Sequence, residues 1–301
     1  MKHRYIFIVA LVILGLSLSA ESHIAAKNIT DQLGRTVSLP DDPQRVVSLA
    51  PSITEIIFAL GQQDRLKGVT IYSDFPEDAA KLPRVGSYVN LDLERIVALK
   101  PDLCIAIKDG NPKAVVKRLE SLKIPVYAVD PRNLDAVMKT ILEIGNLLNA
   151  GENAKVLVQD MRSRIQLVKS QVAKATHRPG VFFQIGISPI VSVGANTFGH
   201  ELIEIAGGNN LAAGPTTYPR FSREQVLSFS PEIFIISSMA GTGAFDRVKA
   251  QWNRWSDLPA VRNQRIYLVD SNLFDRPAPR LVDAIELLVR LIHPELFEEK
   301  N

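Results

Sequence analysis

Metal or nucleophilic chemistry needs histidines, thiols or carboxylates at recurring spacings, and this chain offers few. Its histidines, His3, His23, His177, His200 and His293, are scattered, with no pair at metal-ligand spacing. Cys104 is the one cysteine, which excludes an intrachain disulfide and a paired-cysteine metal site. Asp31, Asp41 and Asp42 read as turn residues rather than ligands. Gly207-Gly208 runs into Asn-Asn, without the Lys-Ser/Thr of a phosphate cradle. Ser48, Ser52 and Ser87 lack a nucleophile elbow, although a hydrolase stays open because triads assemble in space. Neither a metal nor an organic cofactor is expected.

Binding chemistry is better represented. Tyr72 in Y-S-D-F-P, Tyr88 in V-G-S-Y-V-N and Tyr218 in T-T-Y-P-R-F fall in expected loops, as does the run Asn272, Leu273, Phe274, Asp275, Arg276. Tyr72 follows an expected strand over 68–71, and the 272–276 run follows one ending at Asp270. Ligands of open α/β sheets collect beyond the carboxyl ends of strands, which is where these residues stand. Each tyrosine could equally be a half-buried packing residue, and Arg276 with Arg280 the solvated start of a helix.

The elements that must position these loops come in duplicate. Residues 94–106, E-R-I-V-A-L-K-P-D-L-C-I-A, echo residues 224–236, E-Q-V-L-S-F-S-P-E-I-F-I-I, at an offset of 130. Residues 124–130 echo 265–270 at an offset of 140, and 55–61 echo 201–207 at 146. Short β-rich runs at 45–49 and 181–185 precede helices expected at 52–60 and 199–206. Gly61 and Gly207 stand where a helix end wants a left-handed residue. Pro101 and Pro231 each break a helix ahead of a buried strand. Between the copies Leu157, Met161, Ile165, Val168 and Val172 make one apolar helical stripe, with Asn149 and Glu152 as a capping box and Pro179 as the stop. A helix of about 25 residues spans roughly 37 Å, enough to run along both copies as a stiff spine. The fold class is therefore α/β, two lobes with central, largely parallel sheets joined by a single long backbone helix.

Composition agrees with a folded, exported protein. The chain has 301 residues, 46% apolar and 22% charged. Its formal charge is +3, of which Lys2 and Arg4 contribute two in the first twenty residues, so the remainder carries only +1 and makes no electrostatic case for nucleic acid. Met1 to Arg4 is basic, Ile6 to Leu18 is apolar except for Gly15 and Ser17, and small residues follow at Ser19, Ala20, Ala25 and Ala26. That run is short for a membrane span and suits a cleaved secretory signal, with a retained anchor helix as the alternative. No cysteine follows it to carry a lipid. The expected organisation is a signal peptide over 1–26, an N-terminal lobe over 27–148, the interlobe helix over 149–177 and a C-terminal lobe over 178–301.

At Y-S-D-F-P, N-L-D-L-E-R-I-V-A-L-K-P-D-L, F-S-R-E-Q-V-L and F-D-R-P-A-P-R the chain resembles the helical-backbone class of ABC-importer substrate-binding proteins, and within it the cobalamin-binding branch. The resemblance covers about residues 44–292. It implies a periplasmic, monomeric, non-enzymatic protein that binds cobalamin in the interlobe cleft and delivers it to a permease dimer in the inner membrane. Cobalamin would be cargo, not a cofactor. By position, Tyr72, Asn272, Leu273, Phe274, Asp275 and Arg276 match corrinoid-contacting residues, Tyr88 and Tyr218 replace tryptophans, and Glu94 and Glu224 match the glutamates that dock on permease arginines. The chain departs from the enteric member in lacking its disulfide and in having Asn272-Leu273 for Asp-Trp. The class also serves ferric siderophores and haem. A siderophore would use Arg84, Arg220 and Arg276, and haem an axial Tyr72 or Tyr88.

Overall fold

Runs buried on both faces, such as Val126–Val129 and Ile233–Ile236, have the composition of central parallel strands, and the computed structural model forms them into two sheets. It describes residues 26–237 and 242–297; the expected signal peptide lies outside these apart from Ala26, which opens the first strand. That strand, β1 (Ala26–Thr30), pairs with β2 (Thr36–Pro40) as a hairpin. The first sheet is all parallel, in the order β4-β3-β5-β6, from β3 (Val46–Ser48), β4 (Leu66–Gly68), β5 (Leu103–Ile107) and β6 (Val126–Val129). Helices α1 (Pro51–Ala59), α2 (Leu93–Ala98), α3 (Lys113–Ser121) and α4 (Leu134–Leu147) connect and follow these strands. After α5 (Gly151–Val172) the second sheet is built on β7 (Gly180–Gly186), with β8 (Ile190–Ser192), β9 (Asn209–Asn210), β10 (Arg220–Phe221), β11 (Ile233–Ile236) and β12 (Ile266–Leu268). Its helices are α6 (Phe198–Ile205), α7 (Arg223–Ser228), α8 (Thr242–Trp252), α9 (Pro259–Arg262), α10 (Ser271–Phe274) and α11 (Leu281–Ile292). The β7, β9, β11 and β12 pairings are parallel, while β8 and β10 form an antiparallel edge.

The duplication is physical as well as textual. Gly61 and Gly207 close α1 and α6 at φ of 70° and 85°. Lys100 and Ser230, before the two prolines, share the left-handed conformation at φ of 47° and 48°. The acid after each proline does the same work in both copies. Asp102 accepts from the backbone N–H groups of Gln44 and Arg45 at the entry to β3, and Glu232 accepts from that of Gly180 at the entry to β7. The strand expected over 68–71 instead occupies Leu66–Gly68, so Tyr72 stands farther beyond its strand end.

The spine is α5, 22 residues long, and its buried stripe is Ala154, Val158, Met161, Ile165 and Val168, with Leu157 and Val172 half-buried beside it. The Asn149–Glu152 capping box does not form. Asn149 takes a left-handed φ of 56° and spends its amide on Asp42, while Ala150 is the N-cap residue. One continuous core runs from Val46 and Ile53, through Val158, Met161 and Ile165 of α5, to Phe183, Ile235 and Leu288. The outward faces carry separate cores, around Val47, Leu49 and Cys104 in one lobe and Phe182, Phe234 and Trp252 in the other. Strand alternation assigns Val46 and Phe183 to the shared core and their neighbours Val47 and Phe182 to the outer ones.

A buried ion cluster also crosses between the lobes. Glu55 of α1 is 3% exposed. Its carboxylate accepts from Arg280 Nε and Nη2, each at 2.8 Å, and from Arg276 Nη1 at 3.0 Å. The Arg280 guanidinium also lies 3.7 Å from the centroid of the Phe75 ring. In the mirror-image tie, Glu201 of α6, the repeat partner of Glu55, accepts the Leu134 N–H at the start of α4 at 2.7 Å. Removing one member of a buried ion cluster strands the others without water. Glu55→Ala should therefore lower unfolding free energy by about 3–5 kcal/mol in urea titration, whereas a loss within about 1 kcal/mol would mean that the cluster does not hold the lobes together.

Candidate functional site

The carboxyl ends of both sheets open onto one cleft of about 720 Å3 between the lobes. Tyr72 and Tyr88 line it from the first lobe and Tyr218 from the second. Tyr72 and Tyr88 meet edge to face, with ring centroids 5.9 Å apart at 62°. Tyr72 and Tyr218 are 44% and 47% exposed, so each has a large apolar face still open to water within a concave wall.

Each tyrosine is held by its surroundings. The Tyr72 loop rests on hydroxyls: Thr54 Oγ1 donates to Ser48 Oγ at 2.8 Å, and Ser73 Oγ lies 3.0 Å from both Thr54 and Thr70. Arg84 donates from Nη1 to the carbonyls of Thr70 and Ser73. The Tyr88 loop turns at Gly86, φ 92°, where a Cβ would meet Asn90 O and Asp92 N. Asn111, 7% exposed, donates to the carbonyls of Tyr88 and Leu49, both at 2.8 Å. Asn111 was not legible as a positioning residue, because its partners lie 23 and 62 residues away. Tyr218 stands on a segment pinned by Gly194 N–H to Thr217 O and Ser192 N–H to Pro219 O.

The 272–276 run divides between two environments because α10 is a single helical turn. Asn272, Asp275 and Arg276 line the cleft. Leu273 packs against the shared core, and Phe274 is 1% exposed, its ring edge-on to Phe183 at 6.1 Å. These two do not reach the cleft wall; Phe274 instead walls a side chamber of about 210 Å3 beneath Tyr218 and Asp275. Arg276 is at the cleft but engaged, donating to Glu55, Asp74, the Tyr72 carbonyl and Asn272. Asp275 accepts from Ser237 Oγ at 2.8 Å, and burial pushes its carboxyl up to about 7. Burial also raises the phenols of Tyr88 and Tyr218, helped by Tyr72 and then Asp275 at Tyr88 and chiefly by Asp109 at Tyr218.

Among the described residues no three of His, Cys, Asp and Glu converge to hold a metal ion. Cys104 is buried and its thiol is pushed up to about 12, far from nucleophilic. Ser48 is committed to Ala50 O and Thr54, so its hydroxyl is structural. Glu94 and Glu224 are outside the cleft, exposed in the first turns of α2 and α7. Asp92 caps one helix, and a Ser222–Gln225 capping box caps the other.

The profile of a family described as periplasmic binding proteins matches residues 46–273. A vitamin B12-binding protein of Photorhabdus laumondii is 34% identical over 257 residues, 85% of this chain and 90% of the relative. The crystal structure of the periplasmic vitamin B12-binding protein of Vibrio cholerae superposes with a TM-score of 0.74 at 30% identity, covering 86% of this chain and 100% of that one. A periplasmic haem-binding protein from Pseudomonas aeruginosa gives 0.77 at 28% identity, covering 84% and 93%.

Asp275 makes a pH-dependent prediction with a definite sign. An ordinary aspartate ionises near about 3.9, so between about pH 4 and 7 the folded chain holds a proton that the unfolded chain has lost. This group's contribution is complete below that window and is lost as pH rises through it. The stability of Asp275→Asn relative to the wild type should therefore increase from pH 4.5 to 8, by at most about 1.4 kcal/mol per unit. A difference in urea midpoints that does not change with pH would contradict the assignment.

Proposed function

Because the chain belongs to the periplasmic binding protein family, we propose that it binds cobalamin in the interlobe cleft and delivers it to a dimeric ABC-importer permease in the inner membrane. It is a binding protein, not an enzyme. The observation that carries the ligand reading is the tyrosine triplet, contributed by both lobes to one 720 Å3 cavity. A corrin is a large, mostly apolar disc fringed with amides. Aromatic faces suit the disc, each adding about 0.5–1.5 kcal/mol beyond burial, and neutral phenol hydroxyls suit the fringe. An anionic siderophore would need converging cations, yet Arg84 is spent on backbone carbonyls, Arg276 on buried Glu55 and on Asp74, and Arg220 is not among the residues lining the cleft.

Export through cleavage of residues 1–26 follows from the basic and apolar leader, leaving lobes over 27–148 and 178–301 about the 149–177 helix. Docking would use Glu94 and Glu224, exposed at equivalent positions of α2 and α7. Matched carboxylates on matched lobes suit a two-fold-symmetric permease presenting arginines, whose fork fits a carboxylate. The receptor itself would act as a monomer.

Calorimetric titration with cyanocobalamin should give nanomolar affinity, about −12 kcal/mol, against no heat with catecholate chelates or haem. Siderophore or haem binding without cobalamin binding would overturn the reading. Tyr72→Ala should weaken binding by about 1–3 kcal/mol while the protein stays folded. Combined Glu94→Ala and Glu224→Ala should preserve cobalamin affinity and abolish both permease complex formation and uptake; normal uptake would refute docking.

A further inference from the structure

The cleft is strongly acidic. Asp74, Asp109, Asp130, Asp246, Asp270 and Asp275 line it, against two guanidiniums among the described lining residues, Arg132 and Arg276. Neither arginine is available to a ligand. Arg132 pairs with Asp109 at 2.8 Å and Asp130 at 3.0 Å, and Arg276 with Asp74 at 2.8 Å and buried Glu55 at 3.0 Å. Lys108 stands behind Asp130 at 2.8 Å and Arg280 behind Glu55 at 2.8 Å, and carboxylates still outnumber cations once both are included. Treating Asp275 as uncharged leaves that excess in place. Residues 238–245, next in sequence to Ser237 and Asp246, contain no charged side chain to offset it.

Cobalamins and their hydrolysis products vary in charge at two points, the fringe, where a side chain ends in an amide or a carboxylate, and the metal, whose axial ligand sets the charge at the centre. Carboxylates of the cleft only accept hydrogen bonds. An amide on the fringe can donate to them, whereas a carboxylate there has no proton to give and repels them. Resting on the corrinoid reading, we infer that this cleft selects its cargo by charge: it admits fully amidated, neutral or cationic corrinoids and rejects those bearing free carboxylates. The discrimination works by repulsion and lost hydrogen bonding rather than by extra contacts to the preferred cargo.

Three probes of nearly equal shape test this: cyanocobalamin, cationic aquocobalamin, and cyanocobalamin with one fringe amide hydrolysed to a carboxylate, taken as its separate isomers. The monocarboxylates should bind about tenfold to a hundredfold more weakly than cyanocobalamin at low salt, and aquocobalamin at least as tightly. The gap should shrink between about 0.02 and 0.5 M salt, where the Debye length falls from tens of ångströms to a few. Asp109→Asn, which removes a charge and one of Arg132's two carboxylate partners, and Asp246→Asn, at an exposed position, should each narrow the gap. If cyanocobalamin binds and every monocarboxylate binds equally well at low salt, the charge rule fails while the corrinoid reading stands. If no corrinoid binds, both fail together.

Discussion

A single carboxylate buried between two guanidiniums sets the terms for the rest of the molecule. Glu55 comes from the first helix of one lobe, and Arg276 and Arg280 from the segment after the last strand of the other. Three charges removed from water tolerate little displacement, because separating them leaves each unsolvated. The relative position of the lobes is thus fixed at the back of the cleft, where Arg276 also grips the Tyr72 carbonyl and Asn272. Glu201 makes the equivalent reach in the other direction, to the Leu134 N–H. The two crossings occupy matching places in the two repeats.

This constraint also decides what the cleft can offer. An arginine at a cleft wall would ordinarily serve an anionic ligand, but Arg276 is already balanced by Glu55 and Asp74. What remains open to a guest is aromatic surface, phenol hydroxyls and uncompensated carboxylate. A fixed opening lowers the ordering cost of binding, since little conformational freedom is left to lose.

Features with a local physical cause were legible in the sequence. The glycines at 61 and 207 answer a local need for left-handed backbone, and the helix stripe from Met161 to Val168 follows from periodicity alone. The three tyrosines were legible as loop residues, Tyr72 as one beyond a strand, and all three line the cleft. Features decided by distant partners were not. Nothing near Asn149 announces that Asp42 claims its amide, and nothing near Arg276 announces Glu55, 221 residues away. Leu273 and Phe274 were misplaced because a one-turn helix has too few residues to reveal which side faces the core. The acids after Pro101 and Pro231 were visible as repeats, but their shared task of pinning β3 and β7 emerged only in three dimensions.

The apolar core that passes through α5 has a consequence for how the chain folds. Val158, Met161 and Ile165 belong at once to the packing under both sheets, so neither half owns a finished interior. A nascent chain emerging N-terminus first would present α4 with its apolar side uncovered until α5 arrives, and α5 in turn would wait for α11. The two repeats share one interior, so either half synthesised alone would carry a sticky, unpartnered helix face.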